Sequence, residues 1–463
     1  MANSFINNLT PAPTKGELFQ NNYITDFDFA NQFLPDVYEK QAEIYGNRSI
    51  GSFLRLVSAE MPSASDEIRW VEQGRLHVRY DNVAVTGNIF TVTLPSGVDK
   101  AAVRVGQTIM AQGLTSGGDA SGAVLKGVVT AVGASDNTFT AVCYTAATWG
   151  TVASADHATV LVYGSEFAKG TDGMQDTLES EYSSYTNKPI ILKDNYAING
   201  SDTAQIGWIE VTSENGASGY LWYLQSEHET RQRFEDYLEM SMVEAVKKGG
   251  TVHADFPTNI TGSEGLFAAL ESRGNVMEDL ATSSDIIADF DTILKNLDKN
   301  GAIEENMVYA NRALSLKIDD GLAAKNSYGS GGTSYGVFNN SEDMALNLGF
   351  AGFRRGSYDF YKTDWKYLND FGTRGGFDDV QGTIIPAGTS TVYDQDLGKN
   401  IKRPFLHIRY RASETDDRKM KTWITGSVGG AYTSSIDEMR VNFLSERCLI
   451  TQGANNFFLL KKG

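Results

Sequence analysis

Apolar and polar positions change texture along this chain. Residues 1–63 are mostly polar, starting Asn-rich with Pro11 and Pro13. Two short amphipathic stretches follow, Asp36–Tyr45 and Ile50–Ala59, and Met61, Pro62 and Ser63 break the pattern. From 64 to about 215 the apolar residues come in short runs separated by Gly, Asp, Ser and Asn clusters, which is the signature of strands and turns. Glu67–Tyr80 reads as two extended segments around Gly74. Runs at Val83–Leu94, Val103–Gln112, Val124–Gly133, Asn137–Thr145 and Ala158–Tyr163 then give five or six short strands. Strands at this spacing predict a small barrel or sandwich of their own, at about 84–163. Its Gly- and Ser-rich stretch Leu114–Gly122 predicts an exposed loop.

The period then lengthens. Ser218–Lys248 predicts a long helix, with Leu224, Phe234, Leu238, Met242 and Val246 on one face. Glu227 and Arg231 form an i,i+4 pair of favourable order. Lys247 and Lys248 suit the negative end of the helix dipole, and Gly249 and Gly250 are expected to stop it. Such a rod would be about 45 Å long. Beyond 263 the pattern is mixed. Ser284–Asn300 predicts a second helix, with Ile286, Phe290, Ile293, Leu294 and Leu297 on one face and Gly301 beyond its end. Met307–Asn311 reads as a buried strand, Asn326–Asn340 as a Gly/Ser/Tyr loop, and Ile401–Tyr410 as a strand. Ile436–Leu460 reads as strands that close a large domain. The expected fold class is α+β.

Composition narrows the function. A chain of 463 residues suggests about three structural units, and 41% hydrophobic residues suffice for a sizeable core. The net charge of −18 argues against coating DNA by neutralising it, since duplex DNA carries about one negative charge per 1.7 Å. The same charge is compatible with enclosing DNA without adhering to it, and more simply with solubility. Two cysteines, Cys143 and Cys448, make neither a disulfide framework nor a zinc pattern. Both lie in apolar, strand-like contexts and are expected to be buried thiols of a protein that folds in a reducing cytoplasm. The first residues carry no secretory pattern. No apolar run reaches the roughly 18 residues needed to span a bilayer.

Candidate chemistry is sparse. His77, His157, His228, His253 and His407 include no i,i+3 or i,i+4 pair, so no helical metal site is expected. The Gly-rich Gly329–Gly336 lacks nucleotide-binding spacing. Asn296, Asp298, Asn300, Gly301 and Ile303 match part of a calcium loop, but its closing carboxylate position is Met307. The simpler reading is a helix ending in an Asn-Gly turn. The segment Phe353–Tyr367 alternates Arg354, Arg355, Lys362 and Lys366 with Tyr358, Phe360, Tyr361, Trp365 and Tyr367. It fits a core strand pair with charged edges, a protein interface, or a nucleic-acid contact. No catalytic, cofactor-binding or metal-ligating residue is nominated, no cofactor is expected, and the chain is not expected to be an enzyme.

Three stretches, Asn306–Leu322, Ser334–Phe350 and Ser445–Leu460, resemble the coat subunits of tailed bacteriophages. Together with the order of parts they make the chain similar to major capsid proteins of the Hong Kong ninety-seven type. The resemblance implies an N-terminal arm at 1–63 and an extended β loop at 64–215 carrying the inserted module at 84–163. It further implies a spine helix and peripheral domain at 216–262, an axial domain at 263–425, and a return to the peripheral domain at 426–463. It implies hexamers and pentamers that close an icosahedral shell around double-stranded DNA without sequence-specific binding. The partners would be neighbouring capsid subunits and scaffolding, portal and decoration proteins, with no membrane. The place would be the virion capsid, assembled in the cytoplasm of a host bacterium. The founding member's Lys–Asn cross-link has no residues that align here, so none is expected. Two other readings are an encapsulin-like compartment and a carbohydrate-binding virion or surface protein acting through the β module. An acidic hydrolase is disfavoured because no constellation of residues supports it.

Overall fold

The computed structural model describes residues 60–462, apart from 95–97, 99, 117, 134–136, 154, 156, 175–177, 179–181, 204–210, 213–217, 220–221, 251–252, 279–285, 302, 326–351, 378, 388, 395–398 and 429–431. The amphipathic stretches Asp36–Tyr45 and Ile50–Ala59, the loop Asn326–Asn340 and the stretch Ser334–Phe350 lie outside the described residues. The first strand, β1 (Glu60–Ser63), is followed by β2 (Ile68–Gln73). A module then forms from β3 (Arg79–Thr86), β4 (Ile89–Thr91), β5 (Gln107–Leu114), β6 (Ala120–Val132), β7 (Thr138–Cys143), the short α1 (Gly150–Ala153) and β8 (His157–Ser165). It is a closed barrel of order β3-β4-β7-β6-β5-β8, so the choice between barrel and sandwich falls to the barrel. Closure leaves no open strand edge. Alternate residues turn inward to a separate core that includes Phe90, Val103, Ile109, Phe139, Trp149 and Val160. Phe90 stacks on Phe139 and meets Trp149 edge-on, each with ring centroids 5.0 Å apart. The Trp149 indole N–H donates to Ala141 O at 2.8 Å, which satisfies the one polar atom of a fully buried ring. The chain leaves the barrel into β9 (Tyr182–Asn187), which runs antiparallel to β2.

Next come β10 (Ile190–Asn199), the short α2 (Gly200–Thr203), a pair of two-residue strands β11 (Val211–Thr212) and β12 (Ser218–Gly219), and the long helix α3 (Trp222–Glu244). Helix α3 is shorter than the pattern predicts: 23 residues, or about 35 Å. Phe234, Leu238 and Met242 are buried as expected, but Val246 lies past the end and is exposed. The helix ion pair is Arg231–Glu235 at 3.3 Å rather than Glu227–Arg231. No basic residue stands in the last turn, and the stop comes before Gly249. The cause is tertiary. The Gly265 N–H donates to Ala245 O at 2.7 Å, and Lys248 N–H donates to Thr261 O, so a later segment takes the backbone groups the helix would have used. A Cβ on Gly265 would stand 2.7 Å from Ala245 N, so this close approach requires glycine.

The remainder holds α4 (Leu266–Arg273), β13 (Asn275–Glu278), α5 (Ile286–Asn300), β14 (Glu305–Ala310), α6 (Arg312–Lys325), β15 (Gly352–Arg355), β16 (Tyr358–Asp364) and α7 (Lys366–Asn369). It continues through β17 (Val380–Pro386), β18 (Thr389–Asp394), β19 (Lys399–Pro404), β20 (Leu406–Arg411), β21 (Lys421–Gly426), β22 (Glu438–Thr451) and β23 (Phe458–Lys461). A six-stranded mixed sheet runs β13-β23-β17-β14-β16-β15. Its alternation assigns each face. Val308, Ile384, Phe458 and Leu460 meet Phe290 and Ile293 of α5 and Leu314 and Ile318 of α6. Tyr309, Ile385 and Leu459 turn the other way, to Leu266, Phe267 and Leu270 of α4. A sheet covered on both faces has continuously buried strands, as in β17. Helix α6 was not singled out by the pattern. Asn311 begins it, its side chain accepting from the Leu314 N–H at 2.8 Å.

The described chain thus alternates strands with few helices in an α+β arrangement, and it divides into two units. One comprises the described residues of 193–236 and 422–443. Within it β22 is flanked by β10 and β21, Phe234 stacks on Phe443 at 5.9 Å, and Arg233 pairs with Asp194 at 3.1 Å. The other comprises the described residues of 60–192, 237–421 and 444–462, and holds the barrel, the β2–β9 ribbon and the six-stranded sheet. In it β1 runs parallel to β20, and β20 pairs with residues 447–451 of β22. No helix among the described residues is long and apolar enough to cross a membrane.

Candidate functional site

The five histidines stay apart. His77, His157, His228 and His253 are exposed, on different elements, and His407 is buried. Among the described residues no group of three His, Cys, Asp or Glu could hold a metal ion. Helix α5 runs through Asn296, Asp298 and Asn300, so the calcium-like spacing lies within a helix and its last turn. Asp298 accepts from the Tyr358 hydroxyl at 2.5 Å, and Asn300 donates to Asn275 Oδ1. Both cysteines are buried free thiols. Burial pushes Cys448 up to about 12. At Cys143 burial acts the same way, but hydrogen bonds at Thr145, Ala146 and Lys126 outweigh it and leave the thiol lowered.

The aromatic and basic segment Phe353–Tyr367 is core. Phe353 and Phe360 pack against Phe290 at 5.0 and 5.5 Å, and Trp365 lies between Tyr309 and Phe267 at 5.6 and 6.1 Å. Each strand cation meets a carboxylate. Arg354 pairs with Asp359, Arg355 with Asp291, and Lys362 with Asp319 at 2.5 Å. The hydrogen bond from Arg355 holds the Asp291 carboxyl below its usual range. The reading as a strand pair with charged edges holds for the buried residues of the segment. Tyr361 alone of the five named aromatics is exposed.

The candidate site is the ribbon that carries the barrel. The ribbon's two strands pair with one another, and both connections to the barrel pass through it. At its root Asn187, 1% exposed, makes five hydrogen bonds. It donates to Glu264 O at 3.0 Å and Leu449 O at 2.7 Å. It accepts from Ser263 Oγ and from the N–H groups of Glu264 and Lys188. Trp70 is buried with Cys448 and Ile450. Its indole N–H donates to Glu72 Oε1 at 3.0 Å, and the same oxygen accepts from Gly453 N–H at 2.9 Å. Arg273 of α4 lies over the Tyr185 ring at 4.5 Å and the Trp70 ring at 5.5 Å, while pairing with Glu264 at 2.8 Å and Glu72 at 3.7 Å. Lys247 donates to Thr186 O at 2.6 Å. Sequence patterns single out Lys247 only for a helix end and miss the other polar residues. Asn187 and Leu449 are 262 positions apart, and no local period connects them.

A second polar cluster holds β1. Arg447 pairs with Glu60 at 3.3 Å and donates to Ser445 Oγ and to Lys419 O, and Lys419 also pairs with Glu60. Burial lowers the pKa of Arg447, against the opposing pull of Glu60. Among the described residues these ties fix a four-residue edge strand with one strand neighbour, β20.

No family model matches the chain, and no curated protein matches it. Solved structures from phages are similar to it over most of its length. The capsid structure of the cyanophage P-SCSP1u has 10% identity and a TM-score of 0.42, covering 98% of this chain and 99% of that one. The mature capsid of bacteriophage PhiM1 has 9% identity and a TM-score of 0.40, covering 92% and 91%. A structure from Microbacterium phage Oxtober96 has 9% identity and a TM-score of 0.39, covering 92% and 96%.

Proposed function

We propose that this chain is the major capsid protein of a tailed bacteriophage. Its copies assemble as hexamers and pentamers into an icosahedral shell around double-stranded DNA, in the cytoplasm of a host bacterium. The observation that carries this reading is the order of parts: an edge strand, a ribbon bearing an inserted barrel, a long helix, a doubly covered mixed sheet, and closing strands that return to earlier sheets. On this reading residues 1–63 serve as the arm and 64–215 as the extended loop with its insert. Helix α3 and the returning segment 426–463 serve as the peripheral domain, and 263–425, with α5, α6 and most strands of the six-stranded sheet, serves as the axial domain. The net charge of −18 is compatible with enclosing the genome without adhering to it. Arm and ribbon reach onto neighbours and bury more surface than compact bodies would. The protein acts through such contacts and not through catalysis. Its other partners are scaffolding, portal and decoration proteins.

The test is expression of the full chain alone and with candidate scaffolding proteins from the same genome, read by electron microscopy and light scattering. Shells, tubes or rings of six support the reading. A monomer at every concentration, with and without those proteins, counts against it. Shells recovered from infected cells should protect double-stranded DNA from nuclease, and shells holding only protein cargo would favour an encapsulin-like compartment.

A further inference from the structure

Apart from the polar ties at Asn187, Thr186 and Glu72, the ribbon is held by a small apolar seat and one arginine. Among the described residues β2 and β9 join no third strand. A two-stranded ribbon is marginal by itself in water. Its apolar seat is small: Trp70 on Cys448 and Ile450, with Ile68 and Tyr185 alongside. The opposite face stays bare, with Val71 and Tyr182 both more than half exposed. Past the ribbon, Arg75 adds one exposed hydrogen bond, to Lys299 O at 2.7 Å.

Arg273 supplies what the seat lacks. Its helix is fixed from the other side by Leu266, Phe267 and Leu270 in the core. Its guanidinium, 13% exposed, faces the two ribbon aromatics, and its N–H groups point to one carboxylate on the body, Glu264, and one on the ribbon, Glu72. A planar cation serves both aromatic faces and carboxylates in a way an ammonium cannot. Without it Glu264 and Glu72 would both remain partly buried, with Lys247 as the cation near Glu264 at 3.6 Å. Ribbon and body would then lose the cation that joins their two carboxylates.

We propose that Arg273 is a latch that holds the barrel-bearing ribbon down on its own subunit, with Asn187 as the hinge about which the ribbon lifts when the latch opens. Asn187 pairs with Ile68 at the ribbon's root, and the Arg273 contacts fall on Trp70 and Tyr185, a step further along. Root and latch are therefore separate points on one strap. The device controls where the barrel is carried without changing the barrel's own fold.

Hydrogen exchange of the full chain, read by mass spectrometry, tests this with wild type, Arg273→Lys and Arg273→Leu. In Arg273→Leu the amides of 68–73 and 182–187 are expected to exchange about tenfold faster or more. Those of β5, β8, β14 and β17 should be unchanged. Arg273→Lys keeps the charge and loses the planar fork, so it should fold and show a smaller rise confined to the same two segments. Unchanged ribbon exchange in the variants would overturn the proposal. So would an equal rise in the ribbon, the barrel and the six-stranded sheet, which would make Arg273 an ordinary stabiliser of the whole unit.

Discussion

Tyr309 and Tyr367 lie 2% and 5% exposed in the same core. Burial pushes both phenols well above their ordinary range, with Glu239 adding to the first and the hydrogen bond to Glu244 adding to the second. Tyr358 is raised to about 12 by burial and by Asp298, and Cys448 to about 12 by burial. Each group is held neutral in the folded state at a pH where the unfolded chain ionises it. The stability they contribute is complete below about pH 9 and is lost as pH rises toward about 12. Cys448 alone should account for about 1.4 kcal/mol per pH unit in that window. The urea midpoint is therefore expected to fall steadily above about pH 9, with the buried phenols gaining phenolate absorbance only as the chain unfolds. A second residue-scale expectation concerns Lys362 and Asp319, whose side chains are 8% and 11% exposed. Lys362→Met removes the buried ammonium that Asp319 meets and should cost about 3 kcal/mol, whereas Lys362→Met with Asp319→Leu should cost less. Denaturant titration of the three proteins measures both.

At the scale of elements, the barrel and α3 make the clearest expectations. Trp149 fills the barrel interior opposite Gly127, where a Cβ would come within 2.8 Å of the indole and 2.2 Å of Val142 O. Trp149→Ala should cost the barrel about 3–5 kcal/mol. Because the barrel core is separate from the cores on the six-stranded sheet, limited proteolysis should then cut within 79–165 and spare β14 and β17. Gly265→Ala brings a methyl against the backbone that ends α3, and should lower stability by about 1–3 kcal/mol, measurable as a lower thermal midpoint. The barrel strands and α5 were legible in the sequence because their patterns are local: alternation between turn residues, and an apolar stripe over four turns. The end of α3 was not, because a segment twenty residues further on decides it.

The six-stranded sheet is closed by β23. Strand β23 lies between β13 and β17, and Phe457, Phe458, Leu459 and Leu460 are all fully buried. Truncation after Gln452 would leave two strands with unpaired edges in the middle of the sheet and remove apolar groups from both of its faces. Such a chain is expected to be insoluble or to lack native near-ultraviolet circular dichroism. A truncated chain that is soluble and natively packed would contradict the central place given to β23. Strands paired across hundreds of residues also predict slow folding, since the ends meet only after large loops close.

The sequence by itself determined the α+β class, the barrel's place in the chain, helix α5 and the closing strands, because side-chain period and turn chemistry act over a few residues. Tertiary structure alone decided the rest. Phe353–Tyr367 became core because Asp291, Asp319 and Phe290 arrive from elsewhere to meet its charges and rings. The same composition would have suited an interface. The ribbon became the site because Glu72 and Asn187 on it meet Glu264 and Arg273, from separate stretches of chain. A polar residue carries no period that announces its partner. Its role is set by which desolvated groups the fold places beside it, and that is a property of three-dimensional packing.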